Sequence, residues 1–193
     1  MASADVTFWQ TEGINELHSS TKDVYYEGFD NANAVVQMAG TGTVCDVGCG
    51  YGRLAPLYDA SKYVGYDLCQ SAITKAQKLN PTYQFNVWEY MTALPAANVT
   101  MFINGPHLVN NDEIQALLNL MCSNTSTIIL AEPMKAEYAT RWSNLAYKVY
   151  HRDIATYDAM LSNNGFTRTN THTGPHFLFP DVEYTAARWD KTT

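Results

Sequence analysis

The feature that most constrains the fold is a regular alternation between short apolar or β-branched runs and segments with helical character. Five such runs occur in the middle of the chain, at residues 43–47, 62–67, 83–87, 99–104 and 126–132. Strands that alternate with helices form a parallel sheet with helices on both faces. The sequence therefore predicts an α/β protein with a doubly wound, mostly parallel sheet.

Local signals place the helices between these strands. Residues 71–79 are followed by Asn80-Pro81, which stops a helix. Asn111, Asp112 and Glu113 cap a segment whose apolar positions share one helical face. Those apolar positions are Ile114, Leu117, Leu118 and Met121.

The C-terminal part predicts a change from parallel to antiparallel pairing. A helix over 157–161 ends near Gly165, a residue that readily takes the left-handed conformation of a helix end. The runs 166–172 and 182–189 flank a connection rich in Gly and Pro. They predict an antiparallel hairpin that brings the sheet to seven strands.

The domain organisation is simple, because the chain has no repeat, low-complexity tract or Pro/Ser linker. We expect residues 1–40 to form a helical cap that contributes to a substrate site, with Val35, Val36 and Met38 against the sheet. Residues 41–193 are expected to form the core.

Composition excludes several classes of protein. The 193 residues are 46% hydrophobic and 16% charged, as in globular proteins. Lys and Arg number 12 against 19 Asp and Glu, for a net charge of −7 without a basic stripe, which disfavours duplex nucleic acid as a partner. No apolar run would span a bilayer, and the N-terminus lacks a signal core, so we expect a cytoplasmic protein.

The four cysteines do not form a recognisable metal or disulfide pattern. Cys45, Cys49, Cys69 and Cys122 include no CxxC pair, and the five histidines have no zinc-finger spacing. We therefore expect free thiols and no metal site.

One stretch of the sequence indicates a ligand-binding site. The apolar run 43–47 leads into a glycine-rich turn in which Asp46 precedes Gly48, Gly50 and Gly52, and a helix is expected next. Glycines allow a ligand to approach the backbone, and a helix start offers unpaired N–H groups. A dinucleotide motif, GxGxxG, would require glycine where this chain has Arg53.

This DxGxGxG pattern resembles the first motif of class I S-adenosylmethionine-dependent methyltransferases, and the resemblance extends over residues 41–189. Asp67, at the end of the second strand, matches the acid that binds ribose hydroxyls. The resemblance implies a Rossmann-like fold and S-adenosylmethionine as cofactor. It places Asp46, Gly48, Cys49, Gly50, Gly52, Asp67, Leu68, Glu89, Tyr90 and Asn104 at the cofactor, with Glu89 and Tyr90 near adenine. Asp46 would either orient the loop or touch the ligand.

The reaction implied is methyl transfer to a nitrogen or oxygen atom of a small-molecule acceptor. A hydroxyl or ammonium acceptor must lose a proton, and His107, Glu132 and His151 are the candidate bases. Substrate contacts are expected from residues 1–40, 133–157 and 172–181. The aromatic side chains of these segments are Trp9, Tyr25, Tyr26, Phe29, Tyr138, Trp142, Tyr147, Tyr150, His176, Phe177 and Phe179.

Two other functions stay open at this point. The protein could bind S-adenosylmethionine without catalysis, as a sensor or partner subunit. Alternatively, Asn104-x-Pro106-His107 partly resembles the Asn-Pro-Pro-aromatic motif of enzymes that methylate amino nitrogens of nucleic acid or protein. Gly105 and His107 depart from that motif. The sequence leaves the oligomeric state, monomer or dimer, undecided.

Overall fold

A computed structural model describes residues 4–11, 30–141, 147–176 and 179–192 of the protein. The strands are β1 (Val44–Val47), β2 (Tyr63–Asp67), β3 (Gln84–Val87), β4 (Val99–Ile103), β5 (Thr127–Glu132), β6 (Phe166–Pro175) and β7 (Glu183–Lys191). The helices are α1 (Ala4–Thr11), α2 (Asp30–Ala39), α3 (Gln70–Leu79), α4 (Ile114–Cys122), α5 (Tyr138–Arg141) and α6 (Ile154–Ser162). Two 3₁₀ helices cover Ala55–Leu57 and Pro106–Leu108.

All seven strands form one sheet in the order β3-β2-β1-β4-β5-β7-β6. The first five strands in the chain pair in parallel, and β7 is antiparallel to both β5 and β6. The predicted fold class is thus confirmed, including the C-terminal hairpin. Gly165, with a φ of 75°, ends the segment before β6 as expected.

The sheet is covered on both faces because its buried strands are apolar at successive positions. In β5, Ile128 and Leu130 belong to the hydrophobic cluster that includes α4 and α6, whereas Ile129 and Ala131 belong to the cluster that includes α2 and α3. Strand β5 therefore supplies side chains to two cores.

Helix α2 belongs to the second of these layers. Val35 and Met38 are buried against the sheet, as predicted, while Val36 is half-buried. Within the part of the chain that the structure describes, no helix is both long and apolar enough to cross a membrane.

The prediction of a helix directly after the glycine-rich turn is wrong. Between Gly48 and Tyr63, all of which the structure describes, the chain forms turns and the 3₁₀ helix Ala55–Leu57. Ala55 N donates to Gly52 O at 3.2 Å, an i to i−3 bond. Pro56 has no N–H to give an α-helical bond, and the segment 53–62 is short for a crossover helix.

Candidate active site

The carboxyl ends of β1 to β4 meet at one edge of the sheet, where they border an open cleft. In a doubly wound sheet this edge, beside the point where strand order reverses, is where ligands bind. The cleft encloses about 1150 Å³ including its mouth. It is lined by Val6, Trp9, Asp46, Val47, Gly48, Cys49, Gly50, Arg53, Leu54, Asp67, Leu68, Trp88, Tyr90, Phe102, Ile103, Asn104, Gly105, Leu108, Val109, Glu113 and Leu117.

The glycine-rich turn after β1 is built from left-handed residues. Gly48, Gly50 and Gly52 have φ values of 70°, 55° and 69°. A Cβ at Gly48 would lie 2.8 Å from the Phe102 ring, and one at Gly52 would lie 2.5 Å from the Phe85 ring. Gly48 and Gly50 line the cleft, whereas Gly52 packs behind it, so the protein's own packing already demands glycine at 48 and 52.

Asp67 ties the end of β2 to this turn. Its Oδ2 accepts a hydrogen bond from Gly50 N at 2.8 Å, and its Oδ1 accepts one from Cys69 N at 2.9 Å. Burial raises the pKa of Asp67, while these N–H donors act in the opposite direction. The carboxylate still lines the cleft, as does the neighbouring Leu68.

Asp46 is a second buried carboxyl group in the cleft wall. Tyr63 Oη donates to Asp46 Oδ2 at 2.5 Å. Burial raises the pKa of Asp46 to about 7, although the Tyr63 hydrogen bond lowers it. Asp46 therefore lines the cleft and also accepts a hydrogen bond from Tyr63 that fixes its side chain.

The two residues predicted near adenine lie in different places. Tyr90 lines the cleft, with its ring 5.7 Å from the Trp88 ring in an edge-to-face arrangement. Glu89 is exposed and is absent from the described cleft lining. Cys49 lines the cleft, and burial holds the pKa of its thiol well above the ordinary value. All four cysteines are free.

Asn104, directly after β4, lines the cleft in a left-handed conformation with a φ of 54°. Its backbone N–H donates to Ala131 O at 2.7 Å, which is the last bond between this part of the chain and β5 before the turn to the 3₁₀ helix Pro106–Leu108. The segment from Gly105 to Val109 then borders the cleft on the β5 side.

The predicted bases come together on that side, outside the described lining of the cleft. Glu132, at the end of β5, is fully buried. It accepts hydrogen bonds from His107 N at 2.6 Å and from Tyr157 Oη at 2.5 Å, and its Oε2 lies 3.0 Å from His107 Nδ1. A carboxylate partner places the proton of the neutral imidazole on Nδ1 and leaves the Nε2 lone pair for accepting.

His151 stacks on His107, with ring centroids 5.0 Å apart and an interplanar angle of 5°. His151 Nδ1 lies 3.0 Å from Pro133 O, which can only accept, so this nitrogen carries a proton. Burial, followed by the nearby His107, lowers the pKa of His151 to about 4. His151 is therefore neutral near pH 7 and packs behind His107.

Arg152 fixes the segment that carries His107. This buried guanidinium donates to Pro106 O at 3.0 Å and to Val109 O at 2.7 Å. Tyr150 N donates to His107 O at 2.7 Å. Residues 150–152 thus hold the turn after β4 in place.

The predicted substrate segments are only partly described. Trp9 lines the cleft, and its ring lies 5.1 Å from that of Tyr147. His176 stacks on Phe179 at 5.4 Å, and Tyr138 lies edge-on to His151 at 6.2 Å. Tyr25, Tyr26, Phe29, Trp142 and Phe177 lie outside the described residues.

Several site residues escaped prediction from the sequence. No local motif marks Tyr157, Arg152 or Glu113. The sequence indicated only that Glu113 is an acid that caps a helix. Trp88 could have been found, since it directly follows β3 at the ligand-bearing edge of the sheet.

No protein-family model matches the chain. Among solved structures, the magnesium protoporphyrin IX methyltransferase ChlM of Synechocystis PCC 6803, with bound S-adenosylhomocysteine, superimposes with a TM-score of 0.75. It is 16% identical, and the match covers 97% of this chain and 100% of that chain. The N-methyltransferase NodS of Bradyrhizobium japonicum WM9 has a TM-score of 0.69 at 10% identity, over 84% of this chain and 86% of its own.

The sheet order and the cleft together define the fold as that of the class I S-adenosylmethionine-dependent methyltransferases. One curated relative adds a sequence match. It is protein 235L of Invertebrate iridescent virus 6, described as a candidate methyltransferase, with 27% identity over 139 residues. The match covers 68% of this chain and 52% of that protein, so it spans about half the length of the relative.

Proposed function

We propose that this protein transfers a methyl group from S-adenosylmethionine to a nitrogen or oxygen atom of a small-molecule acceptor. The observation that carries the proposal is the cleft itself, in which the left-handed turn 48–52 is hydrogen-bonded to the Asp67 carboxylate at the edge of a methyltransferase-type sheet. A glycine turn and a strand-end acid at this edge of a doubly wound sheet are typical of nucleotide-binding sites.

The residues present fit that cofactor. Asp67 would accept from the ribose hydroxyls, and Leu68, Trp88 and Tyr90 would cover the flat adenine ring. The turn at Gly48–Gly50 would lie along the amino-acid part, with the Asp46 carboxyl group close to its positive charge. When bound, S-adenosylmethionine supplies an electrophilic methyl group.

The protein's remaining task is to align the acceptor and remove its proton. We assign proton acceptance to His107 Nε2, because Glu132 occupies the Nδ1 side of the ring and Tyr157 holds Glu132. His151 supports the His107 ring by stacking, and Arg152 fixes the segment around His107 by donating to Pro106 O and Val109 O. Glu132, fully buried, serves to orient His107.

A small acceptor is favoured over a polyanion by the net charge of −7 and by the aromatic ring of Trp9 at the cleft, against which Tyr147 packs. The structural neighbour ChlM is a magnesium protoporphyrin IX methyltransferase, and a porphyrin is a small-molecule acceptor.

Calorimetry with S-adenosylhomocysteine tests the cofactor. We expect micromolar binding to the wild type, and a loss of about 1.5 to 3 kcal/mol for Asp67→Ala, because a charged hydrogen-bond acceptor is removed. Asp59→Ala changes an exposed acid outside the cleft and should bind as the wild type does. Unchanged affinity in Asp67→Ala would remove Asp67 from the site, and no binding to the wild type would refute the function.

A labelled methyl donor, incubated with the protein and a cell extract, identifies the acceptor by mass spectrometry of the small-molecule, protein and nucleic-acid fractions. With that acceptor, we expect His107→Ala to reduce turnover about 10²-fold or more, since general-base effects span 10² to 10⁴. Its affinity for S-adenosylhomocysteine should change by less than about 1 kcal/mol. A decrease in turnover below about threefold would place the base elsewhere. Tight binding with no methylated product in any fraction would indicate a non-catalytic binder.

A further inference from the structure

The two edges of the sheet differ in how they are protected against pairing with another strand. Among the described residues, β3 pairs on one side only, with β2, and β6 pairs on one side only, with β7. The β6 edge has an irregular register between Arg168 and Asn170 and ends at Pro175, and bulges, charges and prolines are devices that blunt an edge. Strand β3 has a regular register and contains no charged residue and no proline. Its outer backbone groups are therefore open to a further strand.

Exposed apolar side chains lie at both ends of β3. Leu79 ends α3, and Tyr83 N donates to Asn80 O at 3.1 Å, which joins that helix end to the start of β3. Tyr83 Oη donates to Tyr58 O at 3.1 Å, so the 3₁₀ helix that ends at Leu57 lies at the same end of the strand. Among the described residues, the exposed large hydrophobic side chains are Leu57, Leu79, Val87 and Met91.

The other two of these side chains lie at the end of β3. Val87 is its last residue, and Met91 lies in the following turn with a left-handed φ of 63°. Thr92 N donates to Glu89 O at 3.0 Å and closes this turn. A non-glycine residue in this conformation is uncommon, and Met91 is nevertheless 39% exposed. Strand β3 with these four side chains, called here the β3 surface, is typical of an interaction surface.

The charges beside β3 differ between its two ends. Lys78 is exposed in the last turn of α3, near the start of the strand, and Glu89 is exposed just beyond its end. A two-fold axis perpendicular to the sheet would pair two copies of β3 in antiparallel fashion, so the start of one strand would lie beside the end of the other. Lys78 of each copy would then approach Glu89 of the other, and Leu79 would approach Met91. The β3 surface is therefore complementary to itself in charge and in apolar character.

We infer that this protein forms a homodimer in which β3 of one copy pairs antiparallel with β3 of a second copy. A register centred on Phe85 places Gln84 opposite Asn86 of the second copy, on the same face of the joined sheet. Four residues in each strand give few backbone hydrogen bonds, so the exposed apolar side chains supply most of the burial. The two clefts open at opposite ends of the joined sheet, because the strands of the two copies run in opposite directions. The inference does not depend on the proposed function.

Sedimentation equilibrium of the full chain measures the dimer. We expect the wild type to have the mass of two chains at micromolar concentration, and Val87→Lys to weaken the dimer about tenfold or more, because the two-fold axis places the new charge twice in one interface. Thr173→Lys puts the same charge at an exposed position on the other edge, in β6, and should sediment as the wild type does. A wild type that stays monomeric at about 100 μM, or a dimer that Val87→Lys leaves unchanged, would overturn the inference.

A charge exchange tests the antiparallel pairing itself. Lys78→Glu and Glu89→Lys should each weaken the dimer about threefold to tenfold, because each change removes two exposed ion pairs from the two-fold interface. The double variant should recover the wild-type affinity, since it exchanges the two charges. Both positions are exposed, and circular dichroism checks that each variant folds. A double variant that dimerises no better than the single variants would refute the proposed pairing.

Discussion

At the scale of single residues, Asp46 and Asp67 are paired differently within one cleft. Asp67 accepts from two backbone N–H groups, which favour its charged form, whereas Asp46 accepts from the Tyr63 hydroxyl in a fully buried position. Burial raises the pKa of both groups, for Asp46 to about 7. The folded protein therefore binds protons at Asp46 over a pH range in which the unfolded chain has released them.

This difference predicts how stability changes with pH. Because the folded pKa of Asp46 exceeds its ordinary value of 3.8, its contribution is fully present below about pH 4 and is lost as pH rises to about 7. Asp46→Asn stays neutral and can still accept from Tyr63, so urea denaturation should show its advantage over the wild type growing between about pH 4 and 7. A constant difference across that range would mean that Asp46 titrates normally in the folded protein.

At the scale of elements, the turn after β1 is shaped as much by the sheet as by any ligand. The rings of Phe85 and Phe102 occupy the space that Cβ atoms at 52 and 48 would need. The same rings belong to the two cores on opposite faces of the sheet. The conformation of the turn is therefore coupled to both cores, and in this conformation Gly50 N donates to Asp67.

Two glycines with nearly equal φ separate backbone strain from this packing. Gly40, with φ +67°, has nothing within 4 Å of an added Cβ, whereas Gly52, with φ +69°, meets the Phe85 ring. Gly40→Ala should cost about 1 kcal/mol of the free energy of unfolding, from strain alone. Gly52→Ala should cost about 1 to 3 kcal/mol more. Equal losses in denaturant titrations would show that Phe85 moves aside without cost.

At the scale of the whole molecule, the net charge of −7 disfavours polyanionic partners. The excess of seven negative charges has no compensating basic cluster, and the cleft contains the carboxyl groups of Asp46, Asp67 and Glu113 with the Arg53 guanidinium. Such a surface repels phosphate backbones, while its cleft suits a ligand with positive charge.

Duplex DNA and RNA should therefore not bind detectably at about 150 mM salt, because the counterion-release contribution has no cationic patch to act through. Fluorescence anisotropy of a labelled duplex, titrated with the protein, measures this directly. A salt-sensitive rise in anisotropy at micromolar protein would favour methylation of nucleic acid over the small-molecule acceptor.

The residues of the chain predict the parallel pairing of the first five strands, the terminal hairpin and the position of the glycine turn. These features follow from local patterns: apolar runs of strand length, helix stops and alternating glycines. Asp67 could be placed for the same reason, because a residue at the end of a parallel strand lies at the ligand-bearing edge whatever its neighbours are.

Which side chains meet at that edge depends on how distant segments of the chain pack together. Glu89 and Glu113 lie in the connections that follow β3 and β4 of the same sheet. Glu113 lines the described cleft, and Asn110 Nδ2 donates to its carboxylate, whereas Glu89 is exposed and outside the described lining. The bonds from Tyr157 and His107 to Glu132 each join residues 25 positions apart. Contacts of that kind depend on how α6 and the turn after β4 pack against β5, and no local pattern in the chain encodes that arrangement.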